Sequence, residues 1–168
     1  ATTVVRNQNG DIEIFPIVEM MFNEISNQVE FVVCPAQVSD ELKAKAEKVA
    51  LKVSKTFKQV GLLAVEMFLT HDNTILVNEV APRPHNSAHY SIEACINSQF
   101  DQHINAILNL PLGCSKSNNY AIMANLVGGI GYNGDVIYEG INEAMNFDNV
   151  KIHIYGKKET KPNRKMGH

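Results

Sequence analysis

The segment from Ser39 to Gly61 constrains the fold most, because its pattern is that of one capped, amphipathic helix. Ser39 is a favoured N-cap residue, and Glu41 places a carboxylate in the first turn, where the helix dipole stabilises negative charge. Gly61 is a typical C-terminal stop. Apolar residues recur between these ends at the spacing of one helix face, namely Leu42, Ala46, Val49, Ala50, Val53 and Phe57. We therefore expect a long helix that covers a sheet.

Strand patterns lie on both sides of this helix. Residues 2–6 and 12–18 are joined by an Asn-Gly-Asp turn signal and predict a hairpin. Residues 29–34 are apolar and β-branched and end at a proline, which predicts a third strand, and three strands in succession favour antiparallel pairing. Residues 62–69 and 74–80 flank a short loop that is rich in turn formers, so they predict a second hairpin.

The second half of the chain has weaker patterns. Residues 92–108 carry apolar side chains along one face, which predicts a second amphipathic helix. The pattern then predicts four shorter features, which are a buried strand at 120–127, a short helix at 140–145, a strand at 151–155 and a basic tail from Lys157. Together, the predicted helices and strands indicate an α+β fold. An antiparallel sheet with two long helices occupies residues 1–117, and a small β-rich subdomain occupies residues 118–168.

The composition excludes several classes of protein. Fifteen Lys and Arg against eighteen Asp and Glu give a formal net charge of -3, without the basic footprint that nucleic-acid binding requires. No apolar run approaches the roughly 20 residues of a membrane span, and the N-terminus lacks the pattern of a signal peptide, so we expect a cytoplasmic protein. Cys34, Cys95 and Cys114 are irregularly spaced, which favours free and mostly buried thiols over disulfides or a zinc site.

Two glutamates in the second predicted hairpin carry the first functional hypothesis. Glu66 and Glu79 lie in strands that are predicted to pair, and two facing carboxylates repel one another and are costly to bury unless a cation or a hydrogen-bond network compensates them. Magnesium prefers such oxygen ligands, with water and nucleotide phosphates completing its shell, and Asn78 could assist. The alternative is that either glutamate simply faces solvent, which the pattern of a single strand leaves about equally open.

The loop after this hairpin adds three more candidates. Arg83 offers a planar fork for an anionic group, His85 a ring for proton transfer or hydrogen bonding, and Asn86 an amide that donates and accepts. Pro82 and Pro84 hold the segment extended and so fix where those side chains point. Asn86 and the serine after it could instead serve only to cap the next helix.

A longer pattern surrounds these candidates. The run at 78–87 reads Asn-Glu-Val-Ala-Pro-Arg-Pro-His-Asn-Ser and continues through 89–95 to Ser-Gln-Phe at 98–100, and residues 161–168 read Lys-Pro-Asn-Arg-Lys-Met-Gly-His. Together these residues resemble the carboxyaminoimidazole ribonucleotide synthetase family of ATP-grasp enzymes, and the likeness extends over essentially the whole chain. Two positions depart from the family pattern, since Asn163 stands where glycine is usual and Lys161 where arginine is usual. The geometry of that loop is therefore in question.

The resemblance implies a fold and a reaction. Residues 1–117 would be the C-terminal subdomain of an ATP-grasp domain, and residues 118–168 a small, incomplete β-rich subdomain. The family uses ATP and bicarbonate, through carboxyphosphate, to carboxylate the amine of 5-aminoimidazole ribonucleotide in purine biosynthesis, and it releases ADP and phosphate. Such chemistry depends on positioning and on neutralised charge, which metal ions and cationic side chains supply.

The resemblance also implies a role for each candidate residue. The roles are Mg²⁺ binding by Glu66 and Glu79, ATP binding by Phe68, Asn78 and Glu79, catalysis by Arg83 and His85, and substrate binding by Arg83, His85, Asn86, Lys157 and Arg164. Within the last group, Lys157 and Arg164 would hold the 5′-phosphate of the ribonucleotide. Composition alone favours a solvated basic tail for those two residues.

The implied partners are small molecules and the rest of the enzyme. The chain opens on Ala1 rather than Met, and we expect it to be the C-terminal half of a longer polypeptide that forms a homodimer. The missing half would close the ATP site, so this piece alone should be inactive. Two alternatives remain. One is another ATP-grasp ligase, such as a formate-dependent glycinamide ribonucleotide transformylase or a biotin carboxylase, and the other is a non-catalytic binding module that kept the fold.

Overall fold

The computed structural model describes all 168 residues, in two compact units. The first unit contains Ala1–Met21 and Val32–Ile122, and the second contains Phe22–Phe31 and Met123–His168. The predicted division between residues 117 and 118 stays a prediction.

The strands, numbered along the chain, are β1 (Thr2–Arg6), β2 (Ile12–Ile14), β3 (Glu19–Phe22), β4 (Val29–Cys34), β5 (Gly61–Leu69), β6 (Ile75–Ala81), β7 (Ala121–Ala124), β8 (Leu126–Val127), β9 (Gly134–Asp135), β10 (Glu159–Thr160) and β11 (Lys165–Gly167). The helices are α1 (Asp40–Phe57), α2 (Ser91–Ala94), α3 (Gln99–Ile107) and α4 (Ile141–Met145), and a 3₁₀ turn lies at Asn86–Ala88. The α+β class is confirmed.

An antiparallel four-stranded sheet forms the centre of the first unit, in the order β2-β1-β5-β6. Both predicted hairpins are confirmed, and the pairing of β1 with β5 joins them into one sheet. β2 is shorter than predicted and ends before Pro16, which has no N–H to donate to a ladder.

The two faces of this sheet pack against different helices. Leu63 and Val65 of β5 pack with Ala50 of α1. Leu62, whose side chain points to the opposite face, packs with Ala106 of α3. The strand that carries the candidate glutamate is therefore buried on both sides along its first half.

α1 confirms the helix predicted between Ser39 and Gly61. The hydroxyl of Ser39 accepts a hydrogen bond from the N–H of Leu42 at 3.3 Å, and the helix ends where Lys58 adopts a left-handed φ of 51°. Gly61 follows with a φ of 98°, and a Cβ there would lie 2.8 Å from the ring of His103. Only glycine therefore allows this close packing with an unstrained backbone.

The second predicted helix, at residues 92–108, is wrong in its extent. The structure has the four-residue α2 and the nine-residue α3 in its place. Ser98 and Asp101 form a capping box, which starts a new helix and satisfies its first N–H groups. Just before that box, the N–H groups of Ile96 and Asn97 donate to carbonyls of the loop that follows α3. Because these groups find partners outside a helix, the helix is interrupted there.

Polar residues occupy the buried side of α3. Gln99, Gln102 and Ala106 are buried, whereas Phe100 and Ile104 of the apolar stripe are exposed. The side chains of the two glutamines form hydrogen bonds with backbone groups of neighbouring loops, which compensates for their burial. The stripe of apolar residues is therefore not the core-facing side of α3 in this structure.

The third predicted strand exists as β4, but it does not pair with β1 or β2. It lies between β3 and β7 in a separate three-stranded sheet. No sequence pattern had indicated β3, which is only four residues long and mostly exposed. The expectation that the three early strands form one antiparallel group is therefore wrong.

The strand predicted at residues 120–127 differs from the observed structure. Residues 120–127 are not one buried strand, because β7 and β8 are separated at Asn125. The side chain of Asn125 donates to the carbonyl of Val29 at 2.8 Å, and its N–H donates to the carbonyl of Glu30 at 2.9 Å. The short helix predicted at 140–145 is confirmed as α4.

The last part of the chain is folded rather than loose. Residues 151–155 contain no strand, only a single bridge between Ile154 and Gly167. β10 pairs with β9, and β11 pairs with β8, so the segment predicted as a basic tail from Lys157 belongs to two small sheets.

None of the helices combines the length and the apolar character that crossing a membrane requires. The predicted cytoplasmic location stays a prediction. The three cysteines are free, as expected, and Cys34 is the most deeply buried of them.

Candidate functional site

Glu66 on β5 and Glu79 on β6 lie directly opposite one another in the antiparallel ladder. Opposite residues in such a ladder point to the same face, with Cβ atoms about 5 Å apart. The side chain of Glu66 is only 14% exposed, while Glu79 is exposed on the edge strand. The solvent-facing alternative therefore describes Glu79 but not Glu66, and the two carboxylates share one patch of the sheet.

A β-bulge lies beside the two acids. Glu66 pairs with Glu79 and Met67 with Val77, so Asn78 has no partner on β5. An extra residue of this kind increases the local twist and redirects side chains, and bulges are frequent beside active sites. Phe68, two residues after Glu66, lies on the same face and is exposed. The residues predicted to contact ATP and magnesium are thus neighbours, although their roles stay predictions.

His85 lies beside Glu66. Its Nδ1 is 3.7 Å from Glu66 Oε1, a distance that makes an ion pair only when the ring is protonated, and its side chain is 12% exposed. The same nitrogen lies 2.9 Å from the hydroxyl of Ser87 and accepts the Ser87 N–H at 3.4 Å. The residue that caps the 3₁₀ turn is therefore His85, and the alternative in which Asn86 and Ser87 provide only a cap is wrong.

Arg83 and Asn86 flank His85 on the same loop. Arg83 is exposed, and its Nη1 donates to the carbonyl of Pro84 at 3.1 Å. It forms no salt bridge with a carboxylate in this structure. Its guanidinium charge is therefore uncompensated and available to an anionic ligand. Asn86 is half-buried and is the first residue of the 3₁₀ turn.

One residue next to this loop had no predicted role. Gln99 is wholly buried at the start of α3, and its side chain forms hydrogen bonds with both backbone groups of His85. A polar residue directly after the N-cap Ser98 was the only signal in the sequence that could have drawn attention to it.

Tyr90, Cys34 and Cys95 lie together in the interior of the first unit. Burial raises the pKa of the Cys95 thiol to about 12, and it raises the pKa of Cys34 and that of Tyr90 above their ordinary values. All three groups therefore stay protonated near neutral pH. Since the thiolate is the nucleophilic form, Cys34 and Cys95 are structural residues here.

Metal binding in the first unit would rest on the two carboxylates. No group of three or more His, Cys, Asp or Glu side chains in the structure could hold a metal ion by itself. Mg²⁺ is typically held by one or two carboxylates together with phosphates and water. Glu66 and Glu79 fit that pattern, because they stand on one face of the sheet.

Lys157 and Arg164 belong to the second unit, and both are half-buried. Lys157 Nζ donates to the carbonyl of Lys165 and lies 5.7 Å from the ring centroid of Tyr155. Arg164 Nη1 donates to the carbonyl of Glu159 at 3.0 Å. Neither cation forms a salt bridge with a carboxylate. Both charges are thus held in place by carbonyl groups and remain uncompensated, so the alternative of a solvated tail is wrong for them.

The segment that carries Arg164 is a tight turn. The N–H of Arg164 donates to the carbonyl of Lys161 at 3.0 Å, with Pro162 and Asn163 between them. Asn163 has a φ of 62°, and proline followed by a positive φ is typical of a type II turn, where glycine or asparagine is preferred. Asparagine in place of the usual glycine therefore preserves the left-handed geometry at this position.

Gly128 holds this turn from the other side. Its N–H donates to the carbonyl of Arg164 at 2.9 Å, and its carbonyl accepts the N–H of Asn163 at 3.0 Å. A Cβ at Gly128 would overlap the carbonyl of Lys161. The sequence contained a glycine-rich run here, but nothing in it showed that one of these glycines contacts the turn with Arg164.

Two family models match separate parts of the chain. The model of the ATP-grasp domain matches residues 1–100, and that of the phosphoribosylaminoimidazole carboxylase C-terminal domain matches residues 121–168. The N5-carboxyaminoimidazole ribonucleotide synthase of Bacillus subtilis is 44% identical, over 98% of this chain and 41% of that protein. The phosphoribosylaminoimidazole carboxylase of Ogataea methanolica is 40% identical, over 100% of this chain and 31% of that protein. The chain thus spans less than half the length of these curated relatives.

Solved structures give the same result. The N5-carboxyaminoimidazole ribonucleotide synthetase of Thermotoga maritima is 45% identical with a TM-score of 0.90, over 99% of this chain and 44% of that one. The synthase of Aspergillus clavatus, in complex with ADP and 5-aminoimidazole ribonucleotide, is 37% identical with a TM-score of 0.89, over 99% and 44%. The resemblance found at residues 78–100 and 161–168 is confirmed. The chain therefore belongs to the ATP-grasp family, and its similarity to N5-carboxyaminoimidazole ribonucleotide synthetases extends over nearly all of its residues.

Proposed function

We propose that these 168 residues form the C-terminal part of an enzyme that uses ATP and bicarbonate to carboxylate 5-aminoimidazole ribonucleotide. The proposal rests on the arrangement of three side chains, since the ladder register sets Glu66 opposite Glu79 and His85 Nδ1 lies 3.7 Å from Glu66 Oε1. A relative that was solved with ADP and 5-aminoimidazole ribonucleotide supports the same substrates. The match of residues 121–168 favours this reaction over those of the other ATP-grasp ligases.

Magnesium is part of the proposal, with Glu66 and Glu79 as its ligands. Bound Mg²⁺ would neutralise charge on the ATP phosphates. The two acids suit this role because they lie on one face, and a cation between them relieves their mutual repulsion. Phe68 and Asn78, on and beside that face, would contact the nucleotide.

The proposed reaction has two steps. An oxygen of bicarbonate attacks the γ-phosphorus of ATP, and carboxyphosphate forms as the bond to ADP breaks. The amine nitrogen of the ribonucleotide then attacks the carboxyl carbon, phosphate leaves with the electrons of its bond to that carbon, and the nitrogen loses a proton. The products are N5-carboxyaminoimidazole ribonucleotide, ADP and phosphate.

The loop at 83–86 would act on carboxyphosphate and the amine. Arg83 has an exposed guanidinium that forms no salt bridge, and such a group can bind two oxygens of one anion at once. In the neutral ring of His85, Nδ1 accepts from Ser87, so the proton resides on Nε2, which can donate to an oxygen of the intermediate. Asn86 would add a donor from the neighbouring position.

In the second unit, Lys157 and Arg164 would bind the 5′-phosphate of the ribonucleotide. Both are tethered by carbonyl groups that leave their positive charge uncompensated. A compact ammonium and a planar guanidinium together fit a phosphate dianion.

The remaining partners are also part of the proposal. The N-terminal part of a longer polypeptide would close the ATP site, so that the 168 residues alone should turn over little or no ATP. The longer polypeptide would form a homodimer, which analytical ultracentrifugation can test.

The experiment measures ADP release by the full-length protein, with and without 5-aminoimidazole ribonucleotide and bicarbonate. We expect release that depends on both, and we expect Glu79→Gln to abolish it, because the amide cannot replace a charged metal ligand. Glu24→Gln is the control, since Glu24 is an exposed acid outside the sheet that carries Glu66 and Glu79. The proposal would be contradicted by ADP release that is the same with and without the ribonucleotide, or by a Glu79→Gln variant that is as active as the control.

A further inference from the structure

Gln99 is a wholly buried polar side chain that holds the backbone of His85. Its Oε1 accepts the His85 N–H at 2.8 Å, and its Nε2 donates to the His85 carbonyl at 3.0 Å. One side chain thereby contacts both backbone groups of the residue, as a neighbouring strand would, and the carbonyl also accepts the N–H of Ala88 at 3.0 Å. No ladder can do this instead, because His85 lies outside any strand.

The orientation of the Gln99 amide follows from these partners. A backbone N–H can only donate and a carbonyl can only accept, so the amide oxygen faces the N–H of His85 and the amide nitrogen faces its carbonyl. The same nitrogen lies 2.8 Å from His89 Nδ1, which then accepts its second hydrogen. The N–H of Gln99 itself donates to the hydroxyl of Ser91 at 2.9 Å. Gln99 is therefore held in a single orientation.

Gln99 lies on a regular helix, α3, and the same helix carries a second buried glutamine, Gln102, with which it can be compared. Gln99 is the first residue of α3, directly after the N-cap Ser98. Three residues later, Gln102 is buried to the same degree, but its Oε1 accepts the N–H of Gly113 at 3.0 Å and its Nε2 donates to the hydroxyl of Ser115 at 2.7 Å. The helix thus presents two buried amides, of which only one holds the loop at 83–86.

We infer that Gln99 is a positioning residue for the carboxylation reaction. It fixes the backbone of His85, and hence the directions in which Arg83, His85 and Asn86 meet the intermediate and the ribonucleotide. The inference rests on the proposed function, because it assigns Gln99 to that same site. Gln99 does not touch Glu66 or Glu79 through any of its hydrogen bonds, so binding of the nucleotide should not depend on it.

The test compares Gln99→Met with Gln102→Met in the full-length protein. Methionine keeps the length of glutamine but cannot form these hydrogen bonds, so both variants should unfold at lower temperature by similar amounts. In Gln99→Met we expect kcat to fall about a hundredfold with the KM for ATP changed less than about twofold, because a displacement of about 1 Å costs that much in rate. In Gln102→Met we expect kcat to change less than about threefold.

Equal kcat values in the two methionine variants would overturn the positioning role while leaving the proposed function intact. A wild-type protein without ribonucleotide-dependent ADP release would overturn the proposed function and this inference with it. Gln99→Asn provides a second variant in case Gln99→Met does not fold. It keeps an uncharged amide in the buried site but is one methylene shorter, so the hydrogen bonds to the backbone of His85 should be lost or lengthened, and kcat should fall with the KM for ATP unchanged. A kcat equal to that of the wild type would again overturn the role of Gln99.

Discussion

The two units hold their candidate residues in different ways. In the first unit, Glu66 and Glu79 are placed by the register of a sheet that is packed on both faces. In the second unit, Lys157 and Arg164 are placed by a few carbonyl groups and one turn, among strands of two or three residues. A register depends on many contacts at once, whereas a turn depends on few. The backbone geometry of the first site should therefore persist when its own side chains are replaced, even where activity is lost. The geometry of the second site should change after a single substitution that moves the backbone.

The largest expected effect is chemical and lies in the first unit. Glu66→Gln removes a charge without changing shape, and we expect kcat to fall at least about a hundredfold, because the metal and the phosphates lose a partner. The melting temperature should stay the same or rise, since the facing carboxylates no longer repel. ADP release and thermal unfolding check the two parts. A large loss of stability would show that the sheet depends on this acid, and that packing on both faces does not by itself hold the register.

The next effect concerns binding in the second unit. Lys157→Ala or Arg164→Ala should raise the KM for the ribonucleotide about tenfold to a hundredfold, which corresponds to one lost hydrogen bond between charged groups. The KM for ATP should not change. Lys158→Ala is the matched control, because Lys158 is an exposed neighbour for which no substrate contact is proposed. An equal rise in that control would mean that overall positive charge, not a defined site, attracts the phosphate.

A substitution at Gly128 tests whether the turn that carries Arg164 depends on one close backbone contact. Gly128→Ala should destabilise the protein by about 1–3 kcal/mol, because its Cβ would overlap the carbonyl of Lys161. The KM for the ribonucleotide should rise as well, since the turn that carries Arg164 must move. Urea unfolding and steady-state kinetics measure the two effects. Gly129→Ala is the control, because nothing lies within 4 Å of a Cβ there. Equal unfolding free energies and equal KM values in the two variants would show that the close approach of Gly128 to the turn does not matter.

The smallest expected effect is at Asn163. Because its φ of 62° suits both asparagine and glycine, Asn163→Gly should change stability by less than about 1 kcal/mol and leave the KM for the ribonucleotide unchanged. Asn163→Val should lower stability more, since a β-branched residue is strained at positive φ. A marked change in Asn163→Gly, measured by thermal unfolding, would mean that the asparagine side chain has a role beyond the turn.

Local signals account for the parts of the fold that could be predicted. The helix that begins after Ser39 and the two hairpins follow from caps, turns and periodicity, which arise between neighbours along the chain. The predictions at 92–108 and 120–127 failed where a backbone or side-chain group found a distant partner. The N–H groups of Ile96 and Asn97 did so in the first case, and Asn125 in the second. Such partners leave no periodic trace in a sequence.

The candidate site shows the same division. Glu66, Glu79, Arg83 and His85 could be selected from the sequence, because their chemical types and their order resemble those of a known family. Gln99 could not, since a buried amide in an amphipathic pattern looks like a surface residue until its partners are known.

By itself, the sequence determined the hairpins, the long helix and the kinds of chemistry that the chain carries, because these depend on residue types and on short spacings. The tertiary structure alone decided that Glu66 stands opposite Glu79, that Gln99 holds His85 and that Gly128 holds the turn with Arg164. Each of these contacts joins positions far enough apart in the chain that their geometry exists only once the backbone between them has folded.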